Sequence, residues 1–265
     1  MKFKSEVGSG GPFELEYDDL GPKDGSVVVL VHGFSANRQE GWGRTGWFEA
    51  FSRRGARVLA LDLRGHGQSA RSHDPADYAQ TAMADDIIAL MDQAGVTRAD
   101  VIGFSLGARL ALLTTLRHAD RVDRLILAGV GARLLEPSAQ VGLMAQAMEA
   151  DDPDAIAHPL LKGFRQFADA QGEDRLALAA CSRGAAFSFA AEDLERVLSP
   201  TLVVAGARDA LAGPPQGLAD RIPGARAVTL PGCDHFATPT HALFKGACFD
   251  FLDGWLDAEE MPGFE

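Results

Sequence analysis

The stretch ADVIGFSLGARLALLTTLRHAD, residues 99–120, runs apolar up to a glycine, carries one serine between Gly103 and Gly107, and continues into alanine and leucine. Its first six residues read as a buried strand and the segment from Leu106 onward as a helix, so Ser105 falls on a sharp strand-to-helix turn. Such a turn strains the backbone and crowds the neighbouring segments, and glycines two positions to either side remove Cβ atoms that would collide there. The free N–H groups of the helix's first turn then face any negative charge that develops beside Ser105. With 29 glycines in the chain the G-x-S-x-G spacing alone is a weak signal; the strand before it and the helix after it give it weight.

Similar apolar runs recur on both sides of this stretch: SVVVLV (26–31), ARVLALDL (56–63), DRLILAG (123–129), TLVVAG (201–206) and ARAVTL (225–230). None alternates cleanly, the pattern of strands covered on both faces. Helical segments lie between most of them. TGWFEAFSRRG (45–55) ends at a glycine, and YAQTAMADDIIALMDQAG (78–95) sets Ala84, Ile87, Ile88 and Met91 on one face. Strand and helix in alternation predict an α/β protein built on a mostly parallel sheet. Near the start, FKSEV (3–7) and FELEY (13–17) alternate around GSGGP, predicting an antiparallel hairpin at the sheet edge.

One region breaks the rhythm. Residues 131–198 contain no strand-like run, only alanine- and methionine-rich helical pieces such as SAQVGLMAQAMEADD (138–152), HPLLKGFRQFADAQ (158–171) and LALAACSRGAAFSFAAEDLERVL (176–198). This is too long for an ordinary connection and predicts a helical cap inserted into a core made of 1–130 and 199–265.

Composition narrows the function classes. A net charge of −12 argues against nucleic-acid binding, which needs a basic surface. No apolar run approaches a membrane span, and the opening MKFKSEVGSGGPF lacks the apolar core of a secretion signal. Cys181, Cys233 and Cys248 are odd in number and without C-x-x-C spacing. The expectation is therefore a cytoplasmic protein with no metal site or disulfide framework.

A serine nucleophile needs a base, and the base an orienting acid. Among seven histidines, His235 in LPGCDHFATP follows the last sheet strand, where a loop returns over the strand ends. Asp209 in VVAGARDAL follows the strand before it, and its loop faces the same edge. Asp234 is the rival acid, but a carboxylate rarely reaches the ring of its own neighbour. His32 in VHGFS and His66 in LRGHGQS also lie at strand ends beside glycines, whereas His73, His118, His158 and His241 read as surface residues.

Taken together, VHGFS, DLRGHGQS, GFSLG, TLVVAGARD and PGCDHF, in that order and spacing, resemble the α/β-hydrolase superfamily over nearly the whole chain. The resemblance implies a twisted, mostly parallel sheet of about eight strands flanked by helices, with a small helical cap. It implies Ser105 as nucleophile, His235 as base and Asp209 as acid. The backbone N–H groups of Leu106 and Phe34 become the oxyanion donors, Phe34 by resemblance alone. Asp62 and His66 become parts of a structural loop, and His32 orders the oxyanion loop.

The implied function is a serine hydrolase that cleaves a small to medium carboxylic ester through an acyl-enzyme, needing neither metal nor organic cofactor. The pocket candidates are His32 and Trp42 beside the oxyanion segment, and Met144, Phe164 and Phe187 on the cap. Lys162, Arg165 and Arg183 are candidates for recognising a carboxylate, which fits the enzymatic alternative, an enol-lactone or carbon–carbon bond hydrolase of aromatic catabolism. The non-enzymatic alternative is a ligand receptor or signalling protein on the same scaffold. Arg109, one turn into the helix after the serine, departs from the expected pattern of a buried apolar helix. The oligomeric state is not legible.

Overall fold

The computed structural model describes residues 1–7, 11–136 and 142–255. Strands β1 (Lys2–Ser5), β2 (Phe13–Leu20), β3 (Val27–Val31), β4 (Arg57–Leu61), β5 (Ala99–Phe104), β6 (Val122–Ala128), β7 (Thr201–Gly206) and β8 (Arg226–Leu230) form one sheet in the order β1-β2-β4-β3-β5-β6-β7-β8. The β1–β2 and β2–β4 pairings are antiparallel and every later one is parallel. Parallel strands need crossovers, supplied by α1 (Trp47–Arg53), α2 (Gln80–Gln93), α3 (Leu106–Arg117) and the segments that follow.

Alternation along each strand divides the core between the two faces. Val29, Val31, Val101, Leu125 and Val203 pack with Met83, Ile87 and Leu112 of α2 and α3. Their neighbours Val28, Leu30, Ile102, Ile126 and Val204 pack with Trp47 and Phe51 of α1 and with Phe244 and Phe251 of a C-terminal helix. Both faces are therefore dry, which explains why these strands read as continuous apolar runs.

Between β6 and β7 the chain leaves the sheet and builds a helical cap from α4 (Leu143–Glu149), α5 (Pro159–Gln171), α6 (Arg175–Arg183) and α7 (Ala191–Leu194). Ala145, Met148, Phe164, Ala168, Leu178 and Ala179 form its small core. After β7 come α8 (Gln216–Ala219), β8 and α9 (Ala242–Leu252). No helix among the described residues is long and apolar enough to cross a membrane.

The strands at 99–104 and 201–206 have their expected bounds, and the edge hairpin is present. Its turn residues 8–10 lie outside the described residues, as do residues 138–141, the first four of the expected first cap piece. The expected helical piece at 176–198 is interrupted at 184–190. There the chain crosses Tyr78, which a Cβ on Gly184 would strike, and the Phe187 N–H bonds Gln80 Oε1 at 3.0 Å.

Candidate active site

Ser105 sits at φ 53° and ψ −112°, a conformation L-residues rarely adopt, between the end of β5 and the first residue of α3. Packing imposes it. A Cβ on Gly103 would overlap the Gly107 carbonyl, and one on Gly107 would overlap the Val31 carbonyl, so the turn is pressed against β3. The Ser105 N–H is fixed by the Ala128 carbonyl at 2.8 Å, tying the turn to the end of β6. The side chain is thereby directed out of the sheet edge.

His235 meets it there. Its Nε2 lies 2.9 Å from Ser105 Oγ, and its Nδ1 lies 2.8 Å from Asp209 Oδ2. The other Asp209 oxygen accepts the N–H groups of Leu211 and Ala212, both at 3.0 Å, so the carboxylate cannot turn. With Nδ1–H donated to this acceptor-only group, Nε2 is left to accept the serine proton. The ring is walled by Phe104, Phe164 and Phe236, at centroid distances of 5.0, 6.0 and 6.0 Å. Asp234 turns away and accepts the Ala237 N–H at 2.9 Å, closing its own loop.

On the opposite side, among the described residues no acceptor meets the N–H of Leu106 or of Phe34. The loop carrying Phe34 follows β3 and is held from behind by buried polar groups. His32 donates from Nδ1 to the Gly33 carbonyl at 2.8 Å and accepts the Leu63 N–H on Nε2 at 3.0 Å. Burial pushes its pKa down to about 4, so it stays neutral. Asp62 takes the Arg38 and Gln68 N–H groups at 2.7 and 2.9 Å and pairs with the Arg38 guanidinium. His66 donates to the Arg64 carbonyl at 2.8 Å, sits edge-on to Phe34, and is held down to about 3 by burial. These residues brace the loop and do not meet Ser105.

Two cavities, each of about 300 Å³, open on Ser105 and His235 and share Phe34 and Phe164. The first runs under the cap past Leu106, Arg109, Leu134, Met144, Cys181 and Leu211. The second runs toward Glu40, Arg44, Phe167, Phe236 and Pro239. Of the pocket candidates, Met144 and Phe164 line these spaces, while His32, Trp42 and Phe187 line neither. Trp42 is buried edge-on against Trp47, whose indole donates to the Pro239 carbonyl at 2.8 Å. Phe187 packs with Phe189 on the α2–α3 side of the core, and Ala186 takes the place expected of it.

Sequence reasoning missed Glu173. This buried carboxylate between α5 and α6 accepts Asn37 Nδ2 at 3.0 Å and the Gly67 N–H at 2.8 Å, latching the cap to both loops behind Phe34. Burial raises its pKa. Among the described residues, no cluster of three or more potential ligands could hold a metal ion.

The chain has recognisable relatives. A family model described as the alpha/beta hydrolase fold matches residues 26–183. A pimeloyl-[acyl-carrier protein] methyl ester esterase of Neisseria meningitidis is 31% identical over 87% of this chain and 78% of its own length. An sn-1-specific diacylglycerol lipase of Mus musculus is 29% identical over 60% of this chain, a match spanning half of that protein. Among solved structures, an esterase from Thermogutta terrifontis with malate bound superposes with a TM-score of 0.76 at 26% identity, covering 97% of this chain and 98% of its own. An enol-lactonase from Burkholderia xenovorans does so at 0.75 and 26%, covering 96% of this chain and all of its own.

Proposed function

The chain belongs to the α/β-hydrolase family, and from that premise we propose that it hydrolyses a small to medium carboxylic ester through an acyl-enzyme on Ser105. The observation that carries this reading is the unbroken hydrogen-bond chain Ser105–His235–Asp209 at the strained turn. His235 Nε2 takes the hydroxyl proton as Oγ attacks the ester carbonyl, and Asp209 stabilises the imidazolium that forms. The N–H groups of Leu106 and Phe34 receive the tetrahedral oxyanion, a contribution of about 3 kcal/mol for each donor. His235 then passes its proton to the leaving alcohol. Water, deprotonated by the same ring, releases the acid.

In this reading residues 131–198 are the cap and the remainder the catalytic core. No nucleic acid, membrane or cofactor takes part. The buried free thiols of Cys181, Cys233 and Cys248 suit a reducing compartment such as the cytoplasm. The likeness to an enol-lactonase favours one second reading, in which the ester is cyclic and the same steps open a ring.

A fluorophosphonate probe, with turnover of 4-nitrophenyl acetate, butyrate and octanoate, tests the reading against Ser105→Ala. Labelling and turnover that both vanish in the variant support it, and chain-length preference sizes the cavities. Labelling without turnover of any ester or lactone would point instead to a ligand receptor. No labelling overturns the assignment of Ser105.

A further inference from the structure

The two cavities that meet at Ser105 differ in charge. In the second, the charged lining residues are Glu40 and Arg44, and they neutralise each other at 2.7 Å. The first is lined by Arg109 and Arg133 and by no aspartate or glutamate among the described residues. Arg133 lies at the exposed rim, where it donates to the Ala210 carbonyl and stands 3.9 Å from Glu136. Arg109 lies inside, one helical turn beyond Ser105, whose carbonyl accepts the Arg109 N–H at 3.1 Å.

Among the described residues the Arg109 guanidinium makes one hydrogen bond, Nη2 to the Phe187 carbonyl at 2.9 Å, and it stands 5.2 Å over the Phe189 ring. No carboxylate among the described residues comes within ion-pair distance of it. Burial lowers its pKa from the ordinary arginine value, the sign of a cation short of counter-charge. The basic cap residues singled out in the sequence are in the opposite situation: Lys162, Arg165 and Arg183 are paired with Asp154, Asp169 and Glu149. A guanidinium has five N–H donors in a planar fork suited to a carboxylate, and a half-buried one facing an apolar cavity gains most from such a partner.

We propose that Arg109 is the specificity residue of the first cavity and that the preferred substrate carries a carboxylate on the half that enters it, with a neutral apolar half in the second cavity. This rests on the reading of Ser105 as the hydrolytic nucleophile. A charge-assisted bidentate contact in so dry a place corresponds to a preference of about 10- to 100-fold over an uncharged analogue.

The test compares kcat/KM for the monoethyl esters of succinate, glutarate and adipate with ethyl butyrate, valerate and hexanoate. For a carboxylate on the alcohol half, it compares 4-carboxyphenyl acetate with 4-methylphenyl acetate. Each comparison is made in the wild type, Arg109→Met and Arg109→Lys. The expected result is a preference for the anion in at least one pair, lost in Arg109→Met and partly restored in Arg109→Lys. A purely structural role for Arg109 would lower both members of a pair and leave their ratio unmoved. Ratios unchanged in Arg109→Met, alongside Ser105-dependent turnover of the neutral esters, would overturn this proposal alone. Absence of all turnover and labelling in the wild type would overturn the hydrolase reading instead. Calorimetric titration of Ser105→Ala with monoethyl adipate and with 4-carboxyphenyl acetate, against the same protein carrying Arg109→Met, then still decides Arg109. Binding of either anion at least tenfold weaker in the double variant supports the anion site, and equal binding of both overturns it.

Discussion

The floor and the roof of the cavities are built on different principles. In the sheet core, charged and polar side chains are buried and spend their hydrogen bonds on backbone groups of the loops around Ser105: Asp209 on Leu211 and Ala212, Asp62 on Arg38 and Gln68, His32 on Gly33 and Leu63. In the cap fewer groups follow that pattern: Glu173 takes the Gly67 N–H, Arg165 holds the Ala147 and Ala150 carbonyls at the end of α4, and Arg175 shares the second of these. The other charged cap residues mostly pair with one another near the surface, as Arg183 does with Glu149 and Lys162 with Asp154, over a small alanine-rich interior. A floor whose groups are each held from two or three sides keeps atoms in place for chemistry. A roof tied down at a few points, by Glu173, by the bonds of Gln80 and Arg109 to Phe187 and by the packing of Phe164 on Phe34 and Phe236, is placed to select what enters.

Four measurements break or sharpen this contrast. The largest effect is expected at the floor's centre. Asp209→Asn keeps the shape but offers an amide to the ring, favouring the wrong tautomer, and kcat for 4-nitrophenyl acetate should fall by about 10⁴-fold with little change in KM. Next is Asp62→Ala, which leaves two loop N–H groups without an acceptor and takes one carboxylate from Arg38, whose guanidinium keeps Asp18 and Glu16. Denaturant unfolding should show a loss of about 2 to 4 kcal/mol, and a loss under about 1 would mean the loop holds itself.

Third is acid sensitivity. His66 holds its proton off until about pH 3 in the folded state, whereas an unfolded chain takes one up near 6.5. The unfolded state therefore binds more protons between these values, and His66 withdraws stability as pH falls through them, by about 1.4 kcal/mol per unit. Buried Asp100, raised to about 6, acts in the opposite sense, so the difference between wild type and His66→Gln is the cleaner quantity. That difference should shift in the variant's favour by about 3 kcal/mol between pH 6.5 and 4. The smallest effect belongs to the roof. Glu173→Gln leaves one of its two donors without an acceptor, and should raise KM for bulky esters a few-fold with kcat almost unmoved. An equal loss in kcat would mean that the cap also positions the floor.

The same contrast governs what could be read from sequence. Strands β5 and β7 are buried on both faces, so local composition alone marks their ends at 99–104 and 201–206. The serine turn announces itself because its glycines are required by contacts within a few residues and with β3. The pocket walls have no such local mark. Glu173 and Asn37 are 136 residues apart, and Gln80 and Phe187 are 107 apart, so neither pairing leaves a spacing to detect. Trp42 sits among glycines as a pocket aromatic would, but its own helical turn, Gln39–Gly43, holds the ring in the core, edge-on to Trp47. Arg109 is visible in the sequence as an anomaly, and only the placement of Phe187 and of the cap's acids shows that no carboxylate among the described residues pairs with it.

The hydrogen bond between Ser105 and His235 joins residues 130 positions apart. Ribosomes add about 5 to 20 residues each second, so the serine is synthesised roughly 6 to 26 seconds before the ring that would take its proton. For most of that interval β7 and β8 are also missing from the edge of the sheet, and Asp209 arrives only in its last part. In the proposed mechanism the nascent chain thus carries a chemically silent serine, and competence waits for the last of the three residues.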